Sequence, residues 1–260
     1  MKNITSIFIL TILITVCSNS QTGFETSKKS FKSLIFVSMG MPFSSGSGGF
    51  FSVYNNEFGG NKRDFTLLPL IGAGTKFRIE HYRLGIQTFI LNSNLKDSYE
   101  QYIEVGDNSG YRGIAQTINI TDIPVIGTIE YMPFVSQFRT FIGGGLGFLM
   151  RNMEWTESIR SGIPLDRREG GTNYNDTDIF PFFKIYSGLE LGFDKQSEET
   201  FLGSLVIEAS YNYAFGSSDI FSKVRRQFVP AEPRLTENYN VIPGYIVISI
   251  AVTFNFNKTT

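Results

Sequence analysis

Thiols, imidazoles and charge are all scarce in this sequence. Its 260 residues hold one Cys, one His and one Trp, and charged residues make up only 18%. The cysteine, Cys17, lies in the first twenty residues. If that segment is removed, neither disulfides nor thiolate–metal sites can hold the rest together. The histidine, His81, stands beside Glu80 between two apolar stretches. A histidine-dependent hydrolase needs a nucleophile and an orienting group nearby, and a metal centre needs several ligands. A lone turn histidine offers neither, so the sequence predicts no catalytic residue, no cofactor and no metal. A net charge of −1 excludes the basic field of a nucleic-acid binder. The charged fraction is below the ~25% usual in soluble domains. Aromatic residues at 15% exclude intrinsic disorder. After residue 20 no apolar run approaches the ~18–20 residues of a membrane helix.

What the chain does have is 42% hydrophobic residues, with 26 Gly and 25 Phe. Met1–Ser20 begins with Lys2, continues through an apolar stretch from Ile7 to Val16, and ends with Ser18 and Ser20 at signal-peptidase spacing. Residues 1–20 therefore read as a secretory signal, leaving 21–260 as one domain. Val16 is too large for the position before a lipidated cysteine. Loss of Lys2 takes the formal charge from −1 to −2.

The mature chain alternates with period two. Near the C-terminus one parity reads Ile246, Ile248, Ile250, Val252, Phe254, Phe256; the other reads Val247, Ser249, Ala251, Thr253, Asn255. Leu205, Ile207, Tyr211, Tyr213 and Phe215 oppose Ser204, Glu208, Ser210 and Asn212. Phe183, Ile185, Leu189, Leu191 and Phe193 oppose Lys184, Gly188, Glu190 and Gly192. Ile123, Val125, Ile129 and Tyr131 oppose Asp122, Thr128 and Glu130. Such alternation means strands with one apolar face. Leu67–Ile79 and Leu84–Leu91 are partly apolar on both parities, so their facing stays open. No stretch shows a helical apolar period. Eight strands are predicted, at 31–43, 64–79, 82–95, 114–132, 137–153, 178–194, 200–216 and 241–256. Their connections alternate short and long, the long ones being Ser44–Arg63, Lys96–Gly113, Glu154–Thr177 and Ser217–Asn240. That is the pattern of an antiparallel up-and-down transmembrane β-barrel with short periplasmic turns and long outer loops. A soluble ligand-binding barrel is the alternative. Facing inward, the bulky parity would overfill an eight-stranded interior, while the small residues lie on the other parity. Facing water, it would forfeit about 1.5–3 kcal/mol per large side chain. Facing lipid, it is stabilising.

Two segments carry a family likeness. Thr121–Phe134, TDIPVIGTIEYMPF, resembles the Ile-Pro strand of the small outer-membrane β-barrel domain proteins of Gram-negative bacteria. Phe141–Phe148, FIGGGLGF, is similar to the Gly-rich strand that follows it there. The resemblance implies an outer-membrane location and says nothing about activity.

Candidate working residues fall in two places. Lys184, Glu190, Glu208, Glu130 and Arg139 should point into the lumen, as an ion-pair plug or as the lining of a narrow pore. In Ser217–Asn240 the residues Lys223, Arg225, Arg226 and Arg234 accompany Phe221 and Phe228, a loop able to grip phosphates or a surface partner. Asp166, Glu169, Asp176 and Asp178, interleaved with Arg160, Arg167 and Arg168, read as a solvated mixed-charge loop. Ser44–Gly49 reads as a flexible loop, and the Asn-x-Thr triplets as chance matches. The expected role is structural or surface-interacting through the outer loops; a narrow channel or small-molecule transporter across the outer membrane is the alternative. The expected partners are outer-membrane lipid and lipopolysaccharide, the barrel-insertion machinery and an unspecified extracellular ligand, with no nucleic acid.

Overall fold

The computed structural model describes residues 32–45, 47–58, 61–79, 81–105, 108–133, 137–162, 174–193, 201–216 and 241–255. The signal segment Met1–Ser20 and the loop residues Lys223, Arg225, Arg226, Phe228 and Arg234 lie outside these residues. So does most of the mixed-charge loop.

The strands are β1 (Lys32–Ser45), β2 (Thr66–Leu67), β3 (Leu70–Ile79), β4 (Tyr82–Val105), β5 (Asn108–Tyr131), β6 (Phe138–Gly162), β7 (Tyr174–Gly192), β8 (Leu202–Ala214) and β9 (Gly244–Asn255). One helix, α1 (Gly48–Phe58), follows β1. β2 and β3 both pair with β4 and form one wall strand interrupted at Leu68–Pro69. Proline has no N–H to give to the ladder there. Every wall strand is antiparallel to its neighbours, and β1 pairs with β9 from Leu34↔Asn255 to Ser45↔Gly244. The result is a closed eight-stranded antiparallel up-and-down barrel. Closure leaves no open edge around the ring.

The parities face as the alternation predicts. Ile207, Tyr211, Ile246, Ile248, Ile250, Ile185 and Leu189 point outward and are exposed. Ser204, Glu208, Asn212, Lys184, Glu190 and Thr253 point inward and are buried. The two undecided strands resolve the same way, with Lys76 and Arg83 inside and Ile71, Leu84 and Ile86 outside.

Two expectations need correction. First, the interior is not confined to small side chains. Phe36, Phe89, Phe141, Phe182, Tyr186, Trp155 and Tyr245 are all buried in it. Inward glycines make the room. A Cβ on Gly74 would come within 2.6 Å of the Phe36 ring, and one on Gly143 within 2.6 Å of the Tyr186 ring.

Second, the predicted loops are partly regular structure. β4, β5 and β6 run to 24, 24 and 25 residues, so Lys96–Gly113 is a continued hairpin, and much of Glu154–Thr177 belongs to strands. Within Ser44–Arg63 stands the helix α1. The strand extensions escape notice because their alternation changes sign. Up to Ile90, Ile123 and Met150 the apolar residues point out. Beyond them Leu95, Ile118, Ile114, Met153 and Trp155 point in. The helix is hidden because its apolar residues, Phe50, Phe51 and Tyr54, cover barely one turn.

The glycine argument makes a paired prediction. Gly143 faces in and Gly144 faces out, where a Cβ would meet only the Lys184 carbonyl oxygen at 3.6 Å. Gly143→Val should cost about 1–3 kcal/mol or more through overpacking. Gly144→Val should be close to neutral. Denaturant titration of the refolded barrel, followed by heat-dependent gel migration, separates the two.

Candidate functional site: the barrel interior and its outer mouth

The interior has two halves. Toward the short turns it is ionic. Lys76 pairs with Glu130. Arg83 reaches both Glu130, at 3.5 Å, and Glu190, at 2.5 Å. Arg139 lies 3.3 Å from Glu190, which also accepts a hydrogen bond from the Ser204 hydroxyl at 2.8 Å. Lys184 pairs with Glu208 at 2.7 Å. The five sequence-derived residues Lys184, Glu190, Glu208, Glu130 and Arg139 are therefore brought together inside the barrel. They come from β5, β6, β7 and β8, and Lys76 of β3 and Arg83 of β4 join them.

Lys76 and Arg83 were not singled out from the sequence because their strands carry apolar residues on both parities. A second ion pair was also missed. Arg151 on β6 donates to both carboxylate oxygens of Asp122 on β5, at 2.7 and 2.8 Å, and to the Ile242 carbonyl at 2.9 Å. Asp122 and Arg151 are register partners. The glycines at 143–145 and 147 mask the parity that would have marked Arg151 as inward.

Toward the outer end the interior is apolar. Phe50, Phe51 and Tyr54 of α1 join Phe65, Leu91, Leu95, Ile118, Leu149, Met153 and Trp155 in one buried cluster. Tyr54 stacks on Phe50 at 5.8 Å and meets Trp155 at 5.9 Å. Its hydroxyl donates to Asp97 at 3.2 Å. Burial first, and Asp97 second, push this phenol well above its ordinary range, so it stays neutral. The helix thus sits in the mouth with its rings turned into the barrel.

Little space is left. A cavity of about 30 Å³ lies among Gln87, Lys184, Glu208, Ser210 and Asn212, and one of about 20 Å³ lies at the short-turn end. Each is water-sized. The Gln87 amide nitrogen and the Asn212 amide oxygen are buried without a protein partner.

His81 is exposed, in the turn between β3 and β4, and its carbonyl accepts from the Met132 N–H at 2.7 Å. Asp176 and Asp178 lie on β7 rather than in a loop. Among the described residues, no three His, Cys, Asp or Glu side chains gather as metal ligands.

No protein-family model and no curated protein matches the chain. Several solved structures resemble it loosely. Neisserial surface protein A aligns at 10% identity over 87% of this chain and 97% of that one, with a TM-score of 0.40. The N-terminal β-barrel domain of Pseudomonas aeruginosa OprF aligns at 13% identity over 86% and 97%, with a TM-score of 0.32. Ail, the attachment invasion locus protein of Yersinia pestis, solved with the heparin analogue sucrose octasulfate, aligns at 10% identity over 86% and 97%, with a TM-score of 0.34. These neighbours are outer-membrane barrels of eight strands. At such scores the likeness carries nothing about this chain's role.

The buried ion pairs make a prediction of their own. Asp122→Asn should cost about 3–5 kcal/mol, because it strands the Arg151 guanidinium in the interior. The double variant Asp122→Leu/Arg151→Met should lose less than either single change. Equilibrium unfolding in detergent of this double variant and of Asp122→Leu and Arg151→Met alone checks this; additive losses would contradict it.

Proposed function

We propose that this protein is an outer-membrane β-barrel with a closed interior, a structural or surface-interacting protein whose working surface is its outer end. The observation that carries the reading is the inverted burial around the lower wall. Leu146, Phe148 and Ile179 are 70%, 66% and 68% exposed, while Glu130 and Glu190 are 1% and 2% exposed. In water each outward side chain would forfeit about 1.5–3 kcal/mol. In hydrocarbon the same arrangement is favourable, and the charges go inside, where opposite signs pair.

The height of the apolar face fits this reading. On β4 the outward apolar run extends from Tyr82 to Ile90, close to the ~9–11 residues a tilted membrane strand uses. Tyr82 and Tyr131 pair at its lower edge, their rings 5.3 Å apart, as interface aromatics do. Above it the alternation reverses, as it must where water replaces lipid outside.

The interior favours a scaffold over a channel. Ion pairs with Phe36, Phe141 and Tyr186 occupy the lower half, and aromatic and aliphatic side chains with α1 and the Asp122–Arg151 pair occupy the upper. The described cavities are each water-sized.

Two measurements test the proposal. The protein should be recovered in the outer-membrane fraction as a heat-modifiable band; recovery from the soluble periplasm would overturn the membrane reading. Reconstituted in planar bilayers, it should give no steady single-channel steps; steady conductance from the unaltered barrel would restore the channel reading.

A further inference from the structure

Directly above the apolar band, the outward face of the wall changes to amides and hydroxyls in register. The continuous outward apolar band ends at Ile90, Ile123, Met150 and Ile179; Tyr102 and Tyr111 stand exposed farther up, near the end of the β4–β5 hairpin. Two positions along each strand, on the same face, come Asn92, Thr121, Asn152 and Thr177. These four are consecutive register partners, Asn92↔Thr121, Thr121↔Asn152 and Asn152↔Thr177, so they form one row across four strands. The row is tied together. The Thr121 hydroxyl donates to the Asn92 side-chain oxygen at 2.9 Å, and the Asn152 amide donates to the Thr177 hydroxyl at 3.0 Å and to Asn175 at 2.9 Å. One step higher, Asn94, Asn119, Glu154 and Asn175 make a second row in the same register.

The Asn-x-Thr triplets Asn119–Thr121 and Asn175–Thr177 belong to these rows. A two-residue spacing puts both side chains on one face of a strand. Both side chains of each triplet therefore stand on the outward face of the wall.

We propose that this belt is a contact surface for the sugar headgroups of an outer-leaflet glycolipid. The proposal rests on the membrane reading above. Continuity with the apolar band places the belt where hydrocarbon gives way to headgroups. Its chemistry selects within that layer. Amides and hydroxyls offer donors and acceptors together, as sugar hydroxyls require. The two rows hold no cation, and their one charge, Glu154, disfavours phosphate. The hydrogen bonds within the lower row hold those side chains in place before contact, which reduces the ordering cost of binding.

The test compares the barrel in phosphatidylcholine vesicles, in the same vesicles with lipopolysaccharide, and in vesicles with dephosphorylated lipopolysaccharide. The unfolding midpoint should rise by several degrees with either glycolipid. The variant Asn92→Ala/Asn119→Ala/Asn152→Ala should melt like the unaltered protein in phosphatidylcholine alone and lose the rise. The corresponding Asn→Gln variant should keep part of it. A rise that survives the alanine variant, or one that vanishes on dephosphorylation, overturns the belt proposal and leaves the membrane reading intact. Failure of the unaltered protein to insert into any of the vesicles overturns both. If the alanine variant does not fold, the dephosphorylation arm on the unaltered protein still decides.

Discussion

The hydrogen-bonded seam between β1 and β9 is the constraint on which everything else depends. By closing the ring it satisfies the backbone of all eight wall strands without help from solvent, the condition for a sheet to stand in hydrocarbon. It also settles how much room there is inside. With strand number fixed, the interior is just wide enough for side chains, and each ring placed there needs an adjacent position with none. Gly74 under Phe36 and Gly143 under Tyr186 are the outcome.

The interior is then divided by chemistry. Lys76, Arg83, Arg139 and Lys184 share Glu130, Glu190 and Glu208 in a network that couples strands from opposite sides of the ring. Such a network contributes less net stability than its contacts suggest, because each ion loses its hydration. Its larger effect is on uniqueness. A one-residue slip of any strand would drive these charges outward and bury the outward apolar residues inside. The outer half holds the single pair Asp122–Arg151 amid apolar side chains, and α1 caps it with rings.

The wall also records the medium around it. Below Asn92, Thr121, Asn152 and Thr177 the outward positions are mainly apolar; directly above them the outward positions are polar and the apolar side chains Leu95, Ile118 and Trp155 point inward. The same strands pass through both zones without a break in pairing.

Much of this was legible in the sequence. Strands such as Ile246–Phe254 and Leu205–Phe215 have one solvent on each face, and a period of two shows it directly. Lys184, Glu190, Glu208, Glu130 and Arg139 could be assigned to the interior because a charge on the lipid side would be costly. Lys76, Arg83 and Arg151 could not, because their strands mix apolar residues and glycine on both parities. The long extensions of β4, β5 and β6 were hidden by the reversal of phase. Helix α1 was hidden because so short a segment has no period of its own and is specified by the cavity it fills. The sequence by itself determined strand number, topology and the facing of the cleanly alternating strands, since alternation is local and each residue there reports its own side. The tertiary structure alone decided which charges meet, which glycines admit which rings and what closes the mouth, because those depend on residues brought together across the barrel from distant strands.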